Sequence, residues 1–128
     1  MKKSLFTIGV ICTLAIMALI FNNAFAQTAK PAAGKPIPEN IVKIAEKSCV
    51  KCHAEPGNPM ALAHVNITNW GKYSPEKQAA KAKAMCEMVT KDKMPPKKFK
   101  EEHPDGIPSK DEVKAICDWA GSLQQAKK

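Results

Sequence analysis

The sequence of 128 residues predicts an all-α fold of about three main helices joined by long loops. Three stretches carry apolar residues at the i, i+3, i+4, i+7 spacing that gives a helix one apolar face. Each stretch opens with residues that commonly begin a helix, and no segment shows the alternating pattern of a half-buried strand. We therefore expect one small domain whose helices pack through their apolar faces.

The N-terminal segment, residues 1–26, is predicted to be a signal peptide. Two lysines near the start precede an uncharged, mostly apolar run over residues 5–21, and Ala24-Phe25-Ala26 has the small-residue form of a cleavage site. Cleavage after Ala26 would deliver the mature chain to the periplasm. The alternative is an uncleaved membrane anchor over residues 5–21, because this run is near the lower length limit of a membrane span.

Residues 27–38 are predicted to form an extended, mobile linker outside the core, because prolines and a glycine are scattered among alanines. The remaining residues, 39–128, are predicted to form a single domain. A domain of this size is near the lower limit that one apolar core supports unaided.

The first main helix is predicted over about residues 39–52, with Pro38 at its first position. A turn cluster of prolines and glycine follows it, so residues 54–73 are predicted to be a loop. The apolar side of the helix consists of Ile41, Ile44, Ala45, Ser48 and Cys52.

The second main helix is predicted to begin at Ser74-Pro75-Glu76, which combines a capping serine, a proline at the first position and an acidic first turn. It is predicted to end near Asp92, because Met94-Pro95-Pro96 cannot continue a helix. Its apolar side consists of Ala82, Met85, Cys86 and Val89.

The last helix is predicted to follow a loop over residues 97–108 and to begin with a capping box of Ser109 and Glu112. Its apolar side consists of Val113, Ile116, Cys117 and Ala120, with Trp119 and Leu123 beside it.

The end of the first helix carries the sequence Cys49-Val50-Lys51-Cys52-His53, whose C-x-x-C-H spacing is typical of c-type haem attachment. Two cysteines three residues apart share one face of a helix, so each can form a thioether with a different vinyl group of one porphyrin. His53 can then be the proximal ligand of the iron. A dithiol redox motif lacks its βαβ setting here, and a zinc site lacks its second pair of ligands. The motif therefore predicts one covalent haem c.

The second axial ligand of the iron is predicted to be Met94. It precedes Pro95-Pro96 in a loop between two helices, where a rigid backbone can hold a thioether still over the iron. A methionine ligand raises the reduction potential and suits electron transfer. The alternatives are His64 and His103, and the remaining candidates are Met60, Met85 and Met88.

The surroundings of the haem are predicted from the loop that follows the motif. Met60, Leu62 and Val65 are candidates for the haem edge. Trp70 and Tyr73 either close one side of the pocket or pack in the core.

Cys86 and Cys117 are predicted to form a disulfide between the second and last helices. Both lie on apolar stripes, and an exported chain usually oxidises such a pair where the geometry allows it. The alternative is two buried thiols that pack as small apolar groups.

The net charge is +8, and all 20 basic side chains are lysines. The absence of arginine in the sequence argues against base-reading recognition of nucleic acid, which relies on bidentate guanidinium contacts. The lysines form either a solvated face or a docking surface for an acidic redox partner protein. We expect a monomer that contacts a membrane only if the N-terminal segment is retained.

The motifs together resemble class I cytochrome c and, more closely, a small haem-binding-domain family of exported bacterial proteins with one C-x-x-C-H. The matching pieces run from about residue 45 to 123, and Cys86 and Cys117 lie outside the pattern of the family. They are residues 49–53, residues 65–70, Met94-Pro95-Pro96, His103-Pro104 and Asp118-Trp119-Ala120. The resemblance implies a helical bundle wrapped around a covalent haem and an exported location, and it names no reaction.

These observations predict a periplasmic monohaem c-type cytochrome that carries single electrons and is not an enzyme. The alternative is a haem-based sensor or peroxidase-like module in which the sixth ligand position is open or exchangeable.

Overall fold

The computed structural model describes residues 34–125, which form six α-helices and two 3-10 turns and contain no strand. The helices are α1 (Glu39–Ser48), α2 (Val50–His53), α3 (Pro59–His64), α4 (Pro75–Thr90), α5 (Lys97–Glu102) and α6 (Lys110–Gln125), and the turns are Trp70–Lys72 and Pro104–Gly106. The all-α prediction is confirmed, and the three main helices of the prediction are α1, α4 and α6.

The predicted signal peptide and its alternative, the membrane anchor, lie outside the described residues. Within residues 34–125, none of the helices has the length and apolar character needed to cross a bilayer.

Helix α1 buries the predicted stripe and ends four residues earlier than predicted. Its buried residues are Ile41, Ile44, Ala45 and Ser48. Cys49 leaves helical geometry, with φ −126° and ψ −39°, so the end of the motif forms the separate short helix α2. Serine, cysteine and valine all have weak helix propensity, and three of them in sequence at residues 48–50 permit this break.

The core lies between α1, α4 and α6. Trp70 and Trp119 meet there with ring centroids 5.3 Å apart. Ala82 of α4 is fully buried, and its small side chain lets α6 approach closely. The buried cluster consists of Ile41, Ile44, Trp70, Ala82, Ile116, Trp119 and Ala120.

Both long helices begin as predicted. The Ser74 hydroxyl accepts a hydrogen bond from the Lys77 amide at 3.3 Å. The capping box of α6 is complete, because Ser109 N–H donates to Glu112 Oε2 at 2.7 Å and Glu112 N–H donates to Ser109 Oγ at 3.2 Å. Glu112 also pairs with Lys47 of α1 at 2.7 Å, so this cap joins two helices.

A disulfide between Cys86 of α4 and Cys117 of α6 confirms the predicted pairing, with a sulfur–sulfur distance of 2.01 Å. It links two helices that also meet through the core.

The prediction of a loop over residues 54–73 is wrong at α3. The Asn58 side chain caps this helix, since its Oδ1 accepts from the amides of Met60 at 2.9 Å and Ala61 at 3.2 Å. Pro59 follows the cap at the first helical position. This asparagine–proline pair is a helix-start signal that the turn-rich composition around it obscured.

The prediction of a loop over residues 97–108 is wrong at α5. Two ion pairs at i, i+4 spacing run along this helix, Lys97–Glu101 at 3.8 Å and Lys98–Glu102 at 3.9 Å. Both pairs are exposed. The sequence signal for this helix is therefore its i, i+4 charge pattern and not an apolar stripe.

The end of the predicted linker packs on the domain, so the prediction that it lies outside the core is wrong for residues 35–37. The Lys35 carbonyl accepts from Trp70 Nε1 at 3.0 Å and from Gln78 Nε2 at 2.9 Å. Ile37 packs against the buried cluster. Gly34 approaches so closely that a Cβ there would lie 2.2 Å from Gln78 Nε2.

Candidate functional site

A cavity of about 850 Å³ is lined by residues from all six helices. Its volume lies toward the upper end of the roughly 300–1,000 Å³ that ligand pockets occupy. Most of its wall is apolar, and only a few of its side chains carry nitrogen or oxygen atoms. The site is therefore suited to a large, mainly apolar ligand held by a small number of specific contacts.

The two cysteines of the motif both line this cavity, and both are free thiols. Burial, followed by the proximity of Cys52, raises the pKa of the Cys49 thiol to about 11. Cys49 is therefore neutral near pH 7. A thioether is also neutral, so this environment fits a sulfur bonded to carbon better than a thiolate bound to a metal ion.

His53 is fixed in one orientation by a backbone acceptor. Its Nδ1 lies 3.0 Å from the Val65 carbonyl oxygen. A carbonyl can only accept, so Nδ1 carries the proton and Nε2 keeps a free lone pair. The backbone of His53 is held as well, because its carbonyl accepts from the Ile67 amide at 2.7 Å. The ring lines the cavity, and an orienting bond of this kind is usual for a histidine that ligates a metal.

Lys51, one of the two residues between the cysteines, faces away from the large cavity. Lys51 lines a second, smaller cavity of about 460 Å³, together with His103. The Lys51 Nζ lies 2.6 Å from His103 Nε2. The motif thus separates its side chains, with both sulfurs and the imidazole on the large cavity and the lysine on the small one.

The candidates for a second axial ligand differ in whether they line the large cavity. Met94 lines the large cavity, as do the other methionine candidates and His64, whereas His103 does not. Met60 is 76% exposed and lies at the rim. Met94 is half-buried, and its amide donates to the Met88 carbonyl at 3.2 Å. Five of the six sequence-derived candidates therefore border one cavity: Met60, Met85, Met88, Met94 and His64.

Ser48 contributes an unpartnered polar atom to the cavity wall. Its hydroxyl is buried, and among residues 34–125 it is the only buried side-chain oxygen or nitrogen without a hydrogen bond. An unsatisfied buried group of this kind costs about 1–3 kcal/mol.

Of the two alternatives for Trp70 and Tyr73, the structure shows packing in the core. Trp70 is 4% exposed and donates to the Lys35 carbonyl, and the Tyr73 hydroxyl accepts from the Asn66 amide at 3.0 Å. Neither lines the large cavity. Of the residues predicted at the haem edge, Met60 and Val65 border the cavity and Leu62 does not.

Two lysines of α4 lie over the ring of Tyr73, and one of them, Lys81, borders the cavity. Lys77 and Lys81, here called the rim lysines, place their Nζ atoms 5.0 Å and 5.3 Å from the centroid of the Tyr73 ring. Lys81 also lines the cavity and donates to the His64 carbonyl. Within the described part of the chain, neither rim lysine has a carboxylate within ion-pair distance, whereas eight other lysines do.

The helical fold and this cavity define a small haem-binding protein. Residues 59–122, half of the chain, match the model of a family described as the haem-binding domain, and the chain belongs to that family. The matched segment runs from α3 into α6 and contains Met94, whereas the C-x-x-C-H motif precedes it. Neither the curated proteins nor the solved structures gave a match.

Proposed function

We propose that this haem-binding protein is a periplasmic monohaem c-type cytochrome that carries single electrons between redox partners. In this proposal Cys49 and Cys52 hold the haem covalently, and His53 and Met94 ligate its iron. The observation that carries the proposal is the orientation of His53. Its Nδ1 is hydrogen-bonded to the Val65 carbonyl, and its ring borders the cavity that both free thiols also line.

Attachment would use the two thiols of the cavity and the two vinyl groups of the haem. The sulfur of each thiol would bond to one carbon of a vinyl group and its hydrogen would go to the other carbon, so nothing would be released. Cys49 and Cys52 lie on the same wall, and the burial that keeps Cys49 neutral also suits the product. Two thioethers plus one axial bond would connect α2 to a ligand that also contacts the other five helices.

A bound haem supplies an iron that exchanges one electron between its ferrous and ferric states. A six-coordinate iron with His53 and Met94 would need little rearrangement between these states, because both ligands are held through backbone hydrogen bonds. A thioether ligand stabilises ferrous iron and raises the reduction potential.

The rim lysines would serve as the docking surface for an acidic partner. Lys81 borders the cavity, and Lys77 lies one helical turn before it on α4. Met60, Ala80 and Ala84 are exposed apolar residues of the cavity lining. Uncompensated positive charge around a small apolar patch favours fast, weak association with a negatively charged protein. Such docking weakens as ionic strength rises, because salt screens exposed charges.

The test of this proposal is expression with c-type maturation machinery, followed by a reduced-minus-oxidised visible spectrum and a haem stain on a denaturing gel. We expect a stained band and a low-spin spectrum. The Cys49→Ser/Cys52→Ser variant is the matched control and should lose the stained band while the Cys86–Cys117 pair stays intact. An exported chain of bare peptide mass, colourless despite competent maturation, would refute covalent attachment.

Export and removal of the N-terminal segment belong to the same proposal. The mature chain should begin at Gln27, and mass spectrometry of the periplasmic protein measures this directly. A haem-loaded chain that is recovered only from membranes and retains residues 1–26 would favour the anchored form.

A haem-based sensor or peroxidase-like module is the second candidate, and the exposed rim of the cavity favours it. Met60 and His64 are exposed where they border the cavity, so a small molecule has a route to its interior. This function requires an open or exchangeable sixth position. A high-spin ferric spectrum, or fast carbon monoxide binding by the ferrous protein with its disulfide intact, would support this function over electron transfer.

A further inference from the structure

The disulfide lies directly behind the wall of the large cavity. Met85 and Ile116, which line the cavity, each immediately precede one of the bonded cysteines, Cys86 and Cys117. Both cysteines are partly exposed, and the exposed Thr90 places its hydroxyl 3.5 Å from the Cys117 sulfur. The bond is therefore close both to the predicted haem and to solvent, where a reductant can reach it.

The two halves of α4 are held differently. Its buried residues, Gln78, Ala79 and Ala82, all lie in the first half. In the second half, Met85, Cys86 and Val89 pack against the core but are only partly buried. The covalent bond to α6 is consequently the strongest restraint on the C-terminal half of α4.

The loop that carries Met94 is attached to this same half of α4. The Met88 carbonyl accepts from the Lys93 amide at 2.9 Å and from the Met94 amide at 3.2 Å. Met88 is two residues beyond Cys86, so a short chain of contacts leads from the disulfide to the backbone of Met94. Between α4 and Met94 the loop is also joined to α5, because Lys100 Nζ donates to the Asp92 carbonyl at 3.0 Å.

We propose that the Cys86–Cys117 disulfide is a redox-sensitive latch on the sixth coordination position. The inference rests on the proposed function, in which Met94 is the sixth ligand. While the bond is intact, the end of α4 holds Met94 in place and the protein carries electrons. When a protein dithiol donates two electrons and two protons, the bond becomes two thiols and the dithiol becomes a disulfide. The end of α4 can then move away from α6, and a diatomic ligand can take the position of Met94.

The size of the effect follows from the population of the open state. A ligand that binds only when Met94 is displaced associates at a rate proportional to the fraction of molecules in which the loop is open. Local opening is easiest where few buried contacts oppose it, which describes the second half of α4 once the disulfide is reduced. We expect cleavage to accelerate carbon monoxide binding by about tenfold or more.

The experiment measures carbon monoxide association with the ferrous holoprotein, prepared with ascorbate so that the disulfide stays oxidised. It is compared with holoprotein treated with a phosphine reductant and alkylated, in which mass spectrometry should find two added groups, at Cys86 and Cys117. The Cys86→Ser/Cys117→Ser variant provides a second form without the bond. Met94→Ala provides the fully open reference.

A matched control separates the latch from general loss of stability. Ser109→Ala weakens the N-cap of α6 but leaves the disulfide and the loop of Met94 unchanged. We expect slow binding in the wild type and in Ser109→Ala, and fast binding with a weakened sulfur-to-iron charge-transfer band in the two forms without the bond. If the double variant does not fold, the reduced and alkylated wild type still gives the answer.

Two results would overturn the latch alone, and a third would overturn it together with the axial assignment. One is equal association rates with and without the disulfide while Met94→Ala binds fast, which leaves the axial pair of the proposed function intact. The other is equal acceleration in Ser109→Ala, which would assign the effect to general destabilisation. An unchanged spectrum in Met94→Ala would remove the axial assignment and the latch together.

Discussion

His53 Nδ1 lies 3.0 Å from the carbonyl oxygen of Val65, twelve residues further along the chain. This contact decides which nitrogen of the neutral imidazole is protonated, and it leaves the other nitrogen with a free lone pair. Val65 is itself buried, so the acceptor is held by the core that surrounds it.

The first prediction concerns His53. His53→Ala should keep the haem attached through both thioethers but should convert the iron to a high-spin species, because the proximal ligand is lost. Added imidazole should restore the low-spin spectrum. His103→Ala is the matched control and should leave the visible spectrum unchanged, because His103 borders only the smaller cavity. A low-spin spectrum in His53→Ala without imidazole would disprove the assignment.

The second prediction concerns Met94. Met94→Ala should abolish the sulfur-to-iron charge-transfer band and lower the midpoint potential, since a thioether favours ferrous iron. Met60→Ala removes another methionine from the same cavity, but Met60 is 76% exposed, and this control should retain the band. Visible spectra and redox titrations of the two variants measure these effects. Loss of the band and a lowered potential in Met60→Ala, with both unchanged in Met94→Ala, would assign the axial ligand to Met60.

The third prediction concerns pH and the cap of α6. The hydrogen bond from Lys47, reinforced by the Ser109 amide, lowers the pKa of Glu112. A lowered carboxyl pKa contributes stability above the unfolded-state pKa of about 4.3, and this contribution is lost as pH falls through the folded-state value. Glu112→Gln keeps an acceptor for Ser109 but removes the charge, so it should destabilise by about 0.2–1 kcal/mol at pH 7.

Urea denaturation of the wild type and Glu112→Gln at a series of pH values measures this difference. The two stabilities should converge as pH falls through the lowered folded-state pKa of Glu112, because the wild-type carboxyl then becomes protonated. Glu112→Ala should lose a further contribution of about 1 kcal/mol because the capping acceptor is gone. A difference between wild type and Glu112→Gln that stays constant down to pH 2 would rule out the charge as its source.

The fourth prediction concerns the chemical reactivity of Cys49. In protein produced without haem maturation, iodoacetamide should modify Cys49 about a hundredfold more slowly at pH 8 than it modifies glutathione, because the thiolate is the reactive form. The rate should rise as pH approaches the pKa of about 11. Site-resolved mass spectrometry gives the rate at this residue alone, and modification as fast as that of glutathione would contradict the burial of the thiol.

The fifth prediction concerns the rim lysines. Lys77→Gln/Lys81→Gln should slow electron transfer to an acidic redox protein by about two- to fivefold at low ionic strength and should flatten the dependence on salt. Lys43→Gln is the control, because Lys43 already pairs with Glu39 at 2.8 Å on α1. Stopped-flow rates at several salt concentrations distinguish them, and identical salt dependence in all three proteins would exclude docking at the rim.

The sequence predicted the features that depend on local chemistry. Ser74, Ser109 and Glu112 form the caps expected of them, and the apolar stripes of α1 and α6 are the faces that meet in the core. The pairing of Cys86 with Cys117 could also be predicted, since each lies on the stripe through which its helix packs.

The features that the sequence did not predict depend on backbone atoms or on weak local signals. The carbonyls of Val65 and Lys35 accept bonds from His53 and from two buried donors, and a backbone oxygen carries no residue-specific signature. The break at Cys49 and the short helices α3 and α5 are each decided by a few tenths of a kcal/mol in propensity and capping, which composition alone does not resolve.

The Lys35 carbonyl also determines where a shortened chain can begin. A fragment that starts at Glu39 would leave the indole nitrogen of Trp70 without an acceptor and would remove one of the two acceptors of the Gln78 amide, both of them deep in the protein. The autonomous folding unit therefore extends upstream of the first helix. Gene designs that cut at the helix boundary would discard a segment on which the interior depends.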